Sequence, residues 1–342
     1  MKFTGAQLQT FVEPYGIPVD GLQHLGSSQN HVYRARHPSG ADCVVRISEG
    51  RHRTKAEVEA ELEWVSHLSS MGLRVCPPLL TEEGVTCVEG SINGQTCLVT
   101  CFEQAPGEKV KAADLGPDLY RKLGALVGQL HAGVATFETS GAEWKRPHWH
   151  QSRLICQDLA ALEGQVSDAF RSSVADLVDS LRSWPVDSST YGPVHGDVSL
   201  GNCHLHEGEL WLFDFDNAEH GYFAQDLATV LYDSVYCKVL NKFADPGLTD
   251  RMLPLWQAVW DGYQETGLVK ELDAEQMRKF FLLREAVIYI HYHRVLDVKT
   301  VSESFKTGLE VMRENVERQE HQVEFAVVFR GDTRLQDTRR KS

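Results

Sequence analysis

The stretch from Val194 to Asp216, VHGDVSLGNCHLHEGELWLFDFD, limits what this chain can fold into more than any other. Two acidic clusters flank a short apolar hairpin. His195-Gly196-Asp197 precedes a loop ending at Asn202, and Asp214-Phe215-Asp216 closes the strand Leu210 to Phe213. Glu207-Gly208-Glu209 is the turn signal, because glycine supplies the positive φ that tight hairpins need. The pattern predicts a hairpin that brings Asn202 and Asp214 close, with Asp197 projecting from the loop beside them.

Phosphoryl transfer needs a carboxylate that orients and deprotonates the attacking hydroxyl. It also needs oxygen ligands that hold Mg²⁺ against nucleotide phosphates. Asp197 fits the first role, and Asn202 with Asp214 the second. Two other readings weigh less. A surface hairpin with turn-capping Asp and Asn leaves unexplained the apolar residues beside every acidic position. A hydrolytic metal centre built on His195, Asp197, His204 and His206 lacks a third ligand near the face that the last two share.

With 342 residues the chain is long enough to bury a full core as one bilobed unit or two domains. A net charge of −14 argues against nucleic acid, whose phosphates would be repelled, and is compatible with a cationic small substrate. The absence of a run of eighteen apolar residues predicts no membrane span, and MKFTGAQLQTFVEPYG lacks a signal-peptide core, so a cytoplasmic protein is expected. Eight scattered cysteines without a CxxC pair read as reduced, mostly buried thiols.

Before the hairpin the chain falls into two regimes. Residues 1–102 are dominated by strands. Gln23 to Ala35 reads as strand, small-residue turn and strand, and Gly26, Ser27 and Ser28 would let backbone N–H groups approach phosphates. Asp42 to Ile47 is a strand in which Arg46 is the one cation, aimed at a polar ligand or partner. Thr54 to Met71 is an amphipathic helix carrying Glu61, which is either a partner for Arg46 or, among Glu57, Glu59 and Glu63, a solvated surface charge. Strands are expected at Gly84 to Val88 and Thr96 to Phe102. Residues 103–108 break regularity and read as a hinge.

Helices dominate residues 109–325. Leu119 to Leu130 forms one stripe, with Gly124 and Gly128 permitting close helix contact, and His131 reads as an interior histidine. Glu143 to His150 is irregular and contains Trp149, either a substrate-side residue or plain packing. Asp226, at the start of the helix after the hairpin, is placed to accept backbone N–H bonds and brace the loop. On the helix from Asp273 to about Leu296, Glu285, Tyr289 and His293 share one face, which either lines a pocket or meets solvent. A polar tail is expected over 326–342.

These residues resemble the aminoglycoside and choline kinase-like phosphotransferases, which have a protein-kinase-like fold. That group includes kinase-like homoserine kinase and stress response kinase A. The similarity covers roughly Leu22 to Arg294 and is strongest in HGDVSLGN and DFDNAEHGYFAQDLA. It implies an α+β fold with a small β-rich lobe containing one main helix, and a larger, mostly helical lobe carrying the hairpin. It makes Asp197 the catalytic base, Asn202 and Asp214 the magnesium ligands, and Asp216 a neighbouring carboxylate for metal or substrate. Gly26, Ser27 and Ser28 match the nucleotide loop, Glu61 the helix glutamate, and Asp226 the buried brace of the loop that contains His195. The backbone near Cys101, Phe102 and Glu103 would receive adenine. The usual lysine is Arg46 here, which keeps the charge but not the point contact.

The expectation is therefore an ATP- and Mg²⁺-dependent kinase whose acceptor is the hydroxyl of an amino acid, an amino alcohol or an aminoglycoside-like molecule. A protein Ser/Thr kinase and a non-catalytic nucleotide-binding module are the alternatives, the latter motivated by Arg46.

Overall fold

The computed structural model describes residues 3–27, 29–141, 143–236 and 247–330. Ser28 and the segment 331–342 lie outside the described residues. The chain forms two compact units. One comprises Met1–Lys109, Thr136–Arg146 and Cys203–Asp216; the other comprises Val110–Ala135, Pro147–Asn202 and the chain from Asn217 onward.

The first unit is built on strands. Helix α1 (Gly5–Val12) leads into strands β1 (Gln23–Ser27), β2 (His31–Arg36) and β3 (Asp42–Glu49), then helix α2 (Lys55–Ser70), then β4 (Cys87–Ile92), β5 (Gln95–Glu103) and the short β6 (Glu108–Lys109). Five strands pair antiparallel in the order β1-β2-β3-β5-β4. Side chains alternate across a strand, so each face has its own cover. Cys43, Val45 and Ile47 of β3 and Cys97, Val99 and Cys101 of β5 pack with Phe11, Val12, Tyr15 and Ile17 from the amino-terminal helix and turn. Leu98 packs on the opposite face with Val58 and Leu62 of α2. Arg46 lies between Val45 and Ile47 and so falls on the α2 face.

Strand β4 begins at Cys87 rather than Gly84. Thr81 and Val85 close a turn in which Gly84 has φ +81°, and pairing with β5 starts only at Cys87↔Thr100. The hairpin is present as expected. Strands β8 (Cys203–His206) and β9 (Glu209–Leu212) pair from Cys203↔Leu212 to His206↔Glu209, with Glu207 and Gly208 both at positive φ, as a two-residue turn requires. The hairpin belongs with the strand-rich unit, because β8 pairs with β6 and Leu212 bridges to Val75.

The second unit is helical. In chain order it contains α3 (Pro117–Gly133), the short α4 (Leu159–Ala161), α5 (Asp168–Arg182), β7 (Tyr191–Val194), β10 (Glu219–Tyr222), α6 (Phe223–Tyr236), α7 (Leu248–Tyr263), α8 (Ala274–Val295), α9 (Glu303–Arg318) and α10 (Phe325–Arg330). Strands β7 and β10 pair antiparallel. Helices α3 and α7 cross at glycine: a Cβ at Gly124 would lie 1.9 Å from the Val259 carbonyl oxygen, and one at Gly262 would lie 1.9 Å from that of Arg121. The expected tail at 326 is corrected to a helix. Phe325, Val328 and Phe329 recur at helical spacing, Phe325 and Val328 are buried, and Phe329 meets Trp256 of α7. No helix among the described residues is long and apolar enough to cross a membrane.

Candidate functional site

In the helical unit, the loop after β7 holds the expected base. Gly196 has φ +78°, and a Cβ there would meet the Asn217 carbonyl oxygen at 2.3 Å, so the turn requires glycine. Asp226, fully buried on α6, accepts the backbone N–H groups of His195 (2.9 Å) and Gly196 (2.8 Å). It also accepts from His131 Nε2 at 3.2 Å, and His131 Nδ1 meets the Tyr263 hydroxyl at 3.0 Å. Burial raises the Asp226 carboxyl, but the His131 hydrogen bond and charge, with the His195 backbone, outweigh it and hold it below the usual range.

Asp197 is thereby fixed at the loop tip. Asn202 Nδ2 donates to the Asp197 carbonyl at 3.0 Å and to Oδ2 at 3.2 Å. This turns the Asn202 amide oxygen the other way, and a neutral oxygen of that kind suits a hard cation. Asp197 Oδ1 accepts from Arg284 Nη2 at 2.6 Å, and the same nitrogen reaches Asp233 at 3.0 Å. Burial works against the Arg284 charge, but Asp233 and Asp197 outweigh it and hold the guanidinium firmly protonated. Sequence reasoning missed both Arg284 and Asp233. The available signal was an arginine set inside the apolar run Phe280 to Ile290.

In the strand-rich unit, Arg46 and Glu61 form the expected pair. Nη1 donates to Oε1 at 2.7 Å and Nη2 to Oε2 at 2.9 Å, with Arg46 5 % and Glu61 0 % exposed. The guanidinium carbon also lies 5.1 Å from the centre of the Phe102 ring. This two-pronged geometry is open to arginine and closed to lysine. Asp214 is exposed and held at φ +67°, in the left-handed region that few side chains adopt. A carboxylate there is chemically suited to a hard cation.

Asp216 is different. It is 3 % exposed and faces Asn30, His52 and Arg53. Burial raises its carboxyl, but the His52 hydrogen bond and the charges of Arg46 and Arg53 prevail and hold it well below the usual range.

The remaining expected positions are distributed over both units. Leu79 N–H donates to the Cys101 carbonyl at 2.7 Å and Glu103 N–H donates to the Pro77 carbonyl at 3.0 Å, so the segment 77–79 already pairs with the backbone expected to receive adenine. Phe102 lies between them, bridged to Pro78. Gly26 and Ser27 lie in β1, and the Ser27 hydroxyl bonds His24 and His31. Trp149 packs against Tyr222 and Phe280 in the core. Glu285, completely buried, takes a hydrogen bond from Asn315 of α9, and Tyr289 packs on Phe170 of α5. These three lie where α8 packs on its neighbours, which removes them from an open substrate surface.

Comparison with known proteins decides the family. Residues 21–265 match the model of the APH phosphotransferase enzyme family. The chain belongs to that family. It is a kinase-type phosphotransferase with the protein-kinase-like fold. Amicoumacin kinase of Bacillus subtilis (strain 168) is 27% identical over 308 residues, covering 89% of each chain. The solved structure of amicoumacin kinase hAmiN in complex with AMP-PNP, Ca²⁺ and Ami superposes with a TM-score of 0.81 and 25% identity, covering 93% of this chain and 94% of that one. A microcompartment-associated aminopropanol kinase shares the fold, with a TM-score of 0.67 and 19% identity over 92% of this chain and 97% of the other.

Proposed function

We propose that this phosphotransferase moves the γ-phosphoryl group of Mg-ATP to a hydroxyl of a small, polar, amine-bearing molecule. The observation that carries the reading is the geometry at Asp197. Its carboxylate is fixed through Oδ1 by Arg284, and it meets Asn202 through Oδ2, on a loop braced by Asp226. A carboxylate so oriented serves to align an acceptor hydroxyl and take its proton as the bond to phosphorus forms. Phosphoryl transfer depends chiefly on such positioning and on charge stabilisation.

Asn202 in the helical unit and Asp214 in the strand-rich unit each offer an oxygen of the kind that would hold Mg²⁺, which when bound would neutralise phosphate charge. The Arg46 guanidinium, oriented by Glu61 in the strand-rich unit, is the cationic group assigned to the nucleotide phosphates. Amine-bearing acceptors are favoured by the net charge of −14 and by the names of the relatives, amicoumacin kinase and aminopropanol kinase.

The test is ADP release from Mg-ATP across amino alcohols, aminoglycosides, amicoumacin and amino acids, with Asp197→Asn as control. Stimulation by an amine-bearing alcohol, lost in the variant while AMP-PNP still binds, is the expected result. Stimulation only by a protein substrate, or unchanged turnover in Asp197→Asn, overturns the reading.

A further inference from the structure

Asp216 is chemically ill suited to the metal, although it stands two residues after Asp214. Its Oδ2 accepts from Asn30 Nδ2 at 3.1 Å and from His52 Nε2 at 3.1 Å. Its Oδ1 is enclosed and lies 3.5 Å from Arg53 Nε. The backbone carbonyl of the same residue accepts from Arg53 Nη2 at 2.8 Å and from Arg146 Nη2. A cation approaching this carboxylate would have to displace cationic or hydrogen-bonding side chains that already surround it.

The donors come from separate places in the chain. Asn30 lies in the turn between β1 and β2, His52 and Arg53 lie in the link from β3 to α2, and Arg146 enters from the segment 136–146. All of them converge on Asp216, two residues beyond the left-handed Asp214. Resting on the kinase reading above, we infer that Asp216 is a positioning residue: a latch that holds the β1–β2 turn and the start of α2 to the Asp214 backbone, so that nucleotide is bound by a pre-set unit. Asn30, His52 and Arg53 are its working partners. None of the four ligates the metal.

A latch and a ligand respond differently to substitution. Removing a ligand weakens the dependence on Mg²⁺ itself. Removing a latch weakens nucleotide binding, and its partners share the defect because they act as one network.

The experiment is calorimetric binding of Mg-AMP-PNP to the full chain, at several fixed Mg²⁺ concentrations, for wild type, Asp216→Asn, His52→Ala, His52→Gln and Asp216→Asn/His52→Ala. His52→Ala is expected to weaken nucleotide binding roughly 5- to 10-fold, a typical coupling for residues of one network. His52→Gln retains a side-chain N–H and should recover most of that loss, which general destabilisation would not allow. The double variant should bind about as well as Asp216→Asn alone, and the Mg²⁺ concentration for half-maximal binding should stay unchanged throughout.

A rise in that Mg²⁺ concentration confined to Asp216→Asn, with both His52 variants at wild-type affinity, overturns the latch and restores Asp216 as a ligand. If Asp216→Asn does not fold, the two His52 variants decide the matter: equal losses, or none in either, overturn it. Wild type that fails to bind Mg-AMP-PNP overturns the kinase reading itself, a different outcome from wild-type binding with the wrong variant pattern.

Discussion

Arg284 Nη2 lies 2.6 Å from Asp197 Oδ1 and 3.0 Å from Asp233, so one guanidinium nitrogen joins the carboxylate at the loop tip to a carboxylate on α6. Without that charge the two carboxylates would lose the cation between them, and Asp197 would lose the contact that fixes its rotation. Arg284→Met is expected to lower kcat by roughly 10- to 100-fold, the cost of a misaligned catalytic group. The KM for ATP should change little. Arg284→Lys should recover only part of the rate, because its ammonium restores the charge but sits on a shorter stem and cannot occupy the same place as Nη2 between the two carboxylates. Steady-state kinetics with any stimulating acceptor checks both; a wild-type kcat in Arg284→Met would remove Arg284 from the site.

Asp226 shows how the same loop is held from beneath. It accepts two backbone N–H groups and the His131 ring with no exposure to water. In Asp226→Asn one oxygen becomes a donor facing donors. The expected loss is about 3 kcal/mol of folding free energy, the scale of breaking a buried charged pair from one side. Urea denaturation followed by tryptophan fluorescence measures it, and a loss well under 1 kcal/mol would show that the loop does not depend on this carboxylate.

Much of this arrangement was legible because the signals were local. HGDVSLGN and DFD stand within one stretch, the turn at Glu207-Gly208 is set by backbone geometry, and Arg46 announces a partner by being a cation in an apolar strand. The period of two along β3 then points it at α2, where Glu61 waits. Arg284 was missed because a charge in the middle of a long helix reads as surface until its neighbours are known. Proximity in sequence to Asp214 suggests a shared role for Asp216, while its partners at Asn30, His52, Arg53 and Arg146 are 70 to 186 residues away and so are invisible to local spacing. Glu285 and Tyr289 do share one face of α8, as their spacing requires. Spacing cannot say that α9 and α5 cover that face.

The crossing of α3 and α7 gives a prediction independent of catalysis. Gly124→Ala places a methyl group 1.9 Å from the Val259 carbonyl oxygen, a clash with backbone that no side-chain movement relieves. Helix α7 would have to shift. A loss of roughly 2–3 kcal/mol is expected, toward the upper end of overpacking costs. Gly116→Ala, where a Cβ meets nothing within 4 Å, is the control for the substitution itself. Thermal denaturation of the pair distinguishes close packing from a general effect of alanine.

Glu285 supplies a prediction about pH. Its side chain is completely buried, with the Asn315 amide the one donor to Oε1 among the described residues and the His321 ring 3.9 Å away, and burial drives its carboxyl well above the ordinary value. The folded chain therefore keeps the proton, while the unfolded chain releases it above the usual carboxylate pKa near 4.5. The stabilising contribution of such a group is complete below that value and is lost as pH rises toward the folded pKa. Gln resembles protonated Glu in shape but has no proton to lose on unfolding. Glu285→Gln should therefore raise the melting temperature at pH 7 to 8, and the gain should disappear by about pH 4.5. His321 adds an opposite trend, since burial pushes its ring down to about 3 and the unfolded ring takes up a proton below 6.5. That loss at low pH occurs in wild type and variant alike, because Glu285 faces the His321 ring in uncharged form, as a glutamine would. The difference between the two melting curves therefore reports Glu285. A gain that is constant from pH 4 to 8 would mean that the folded chain holds Glu285 ionised.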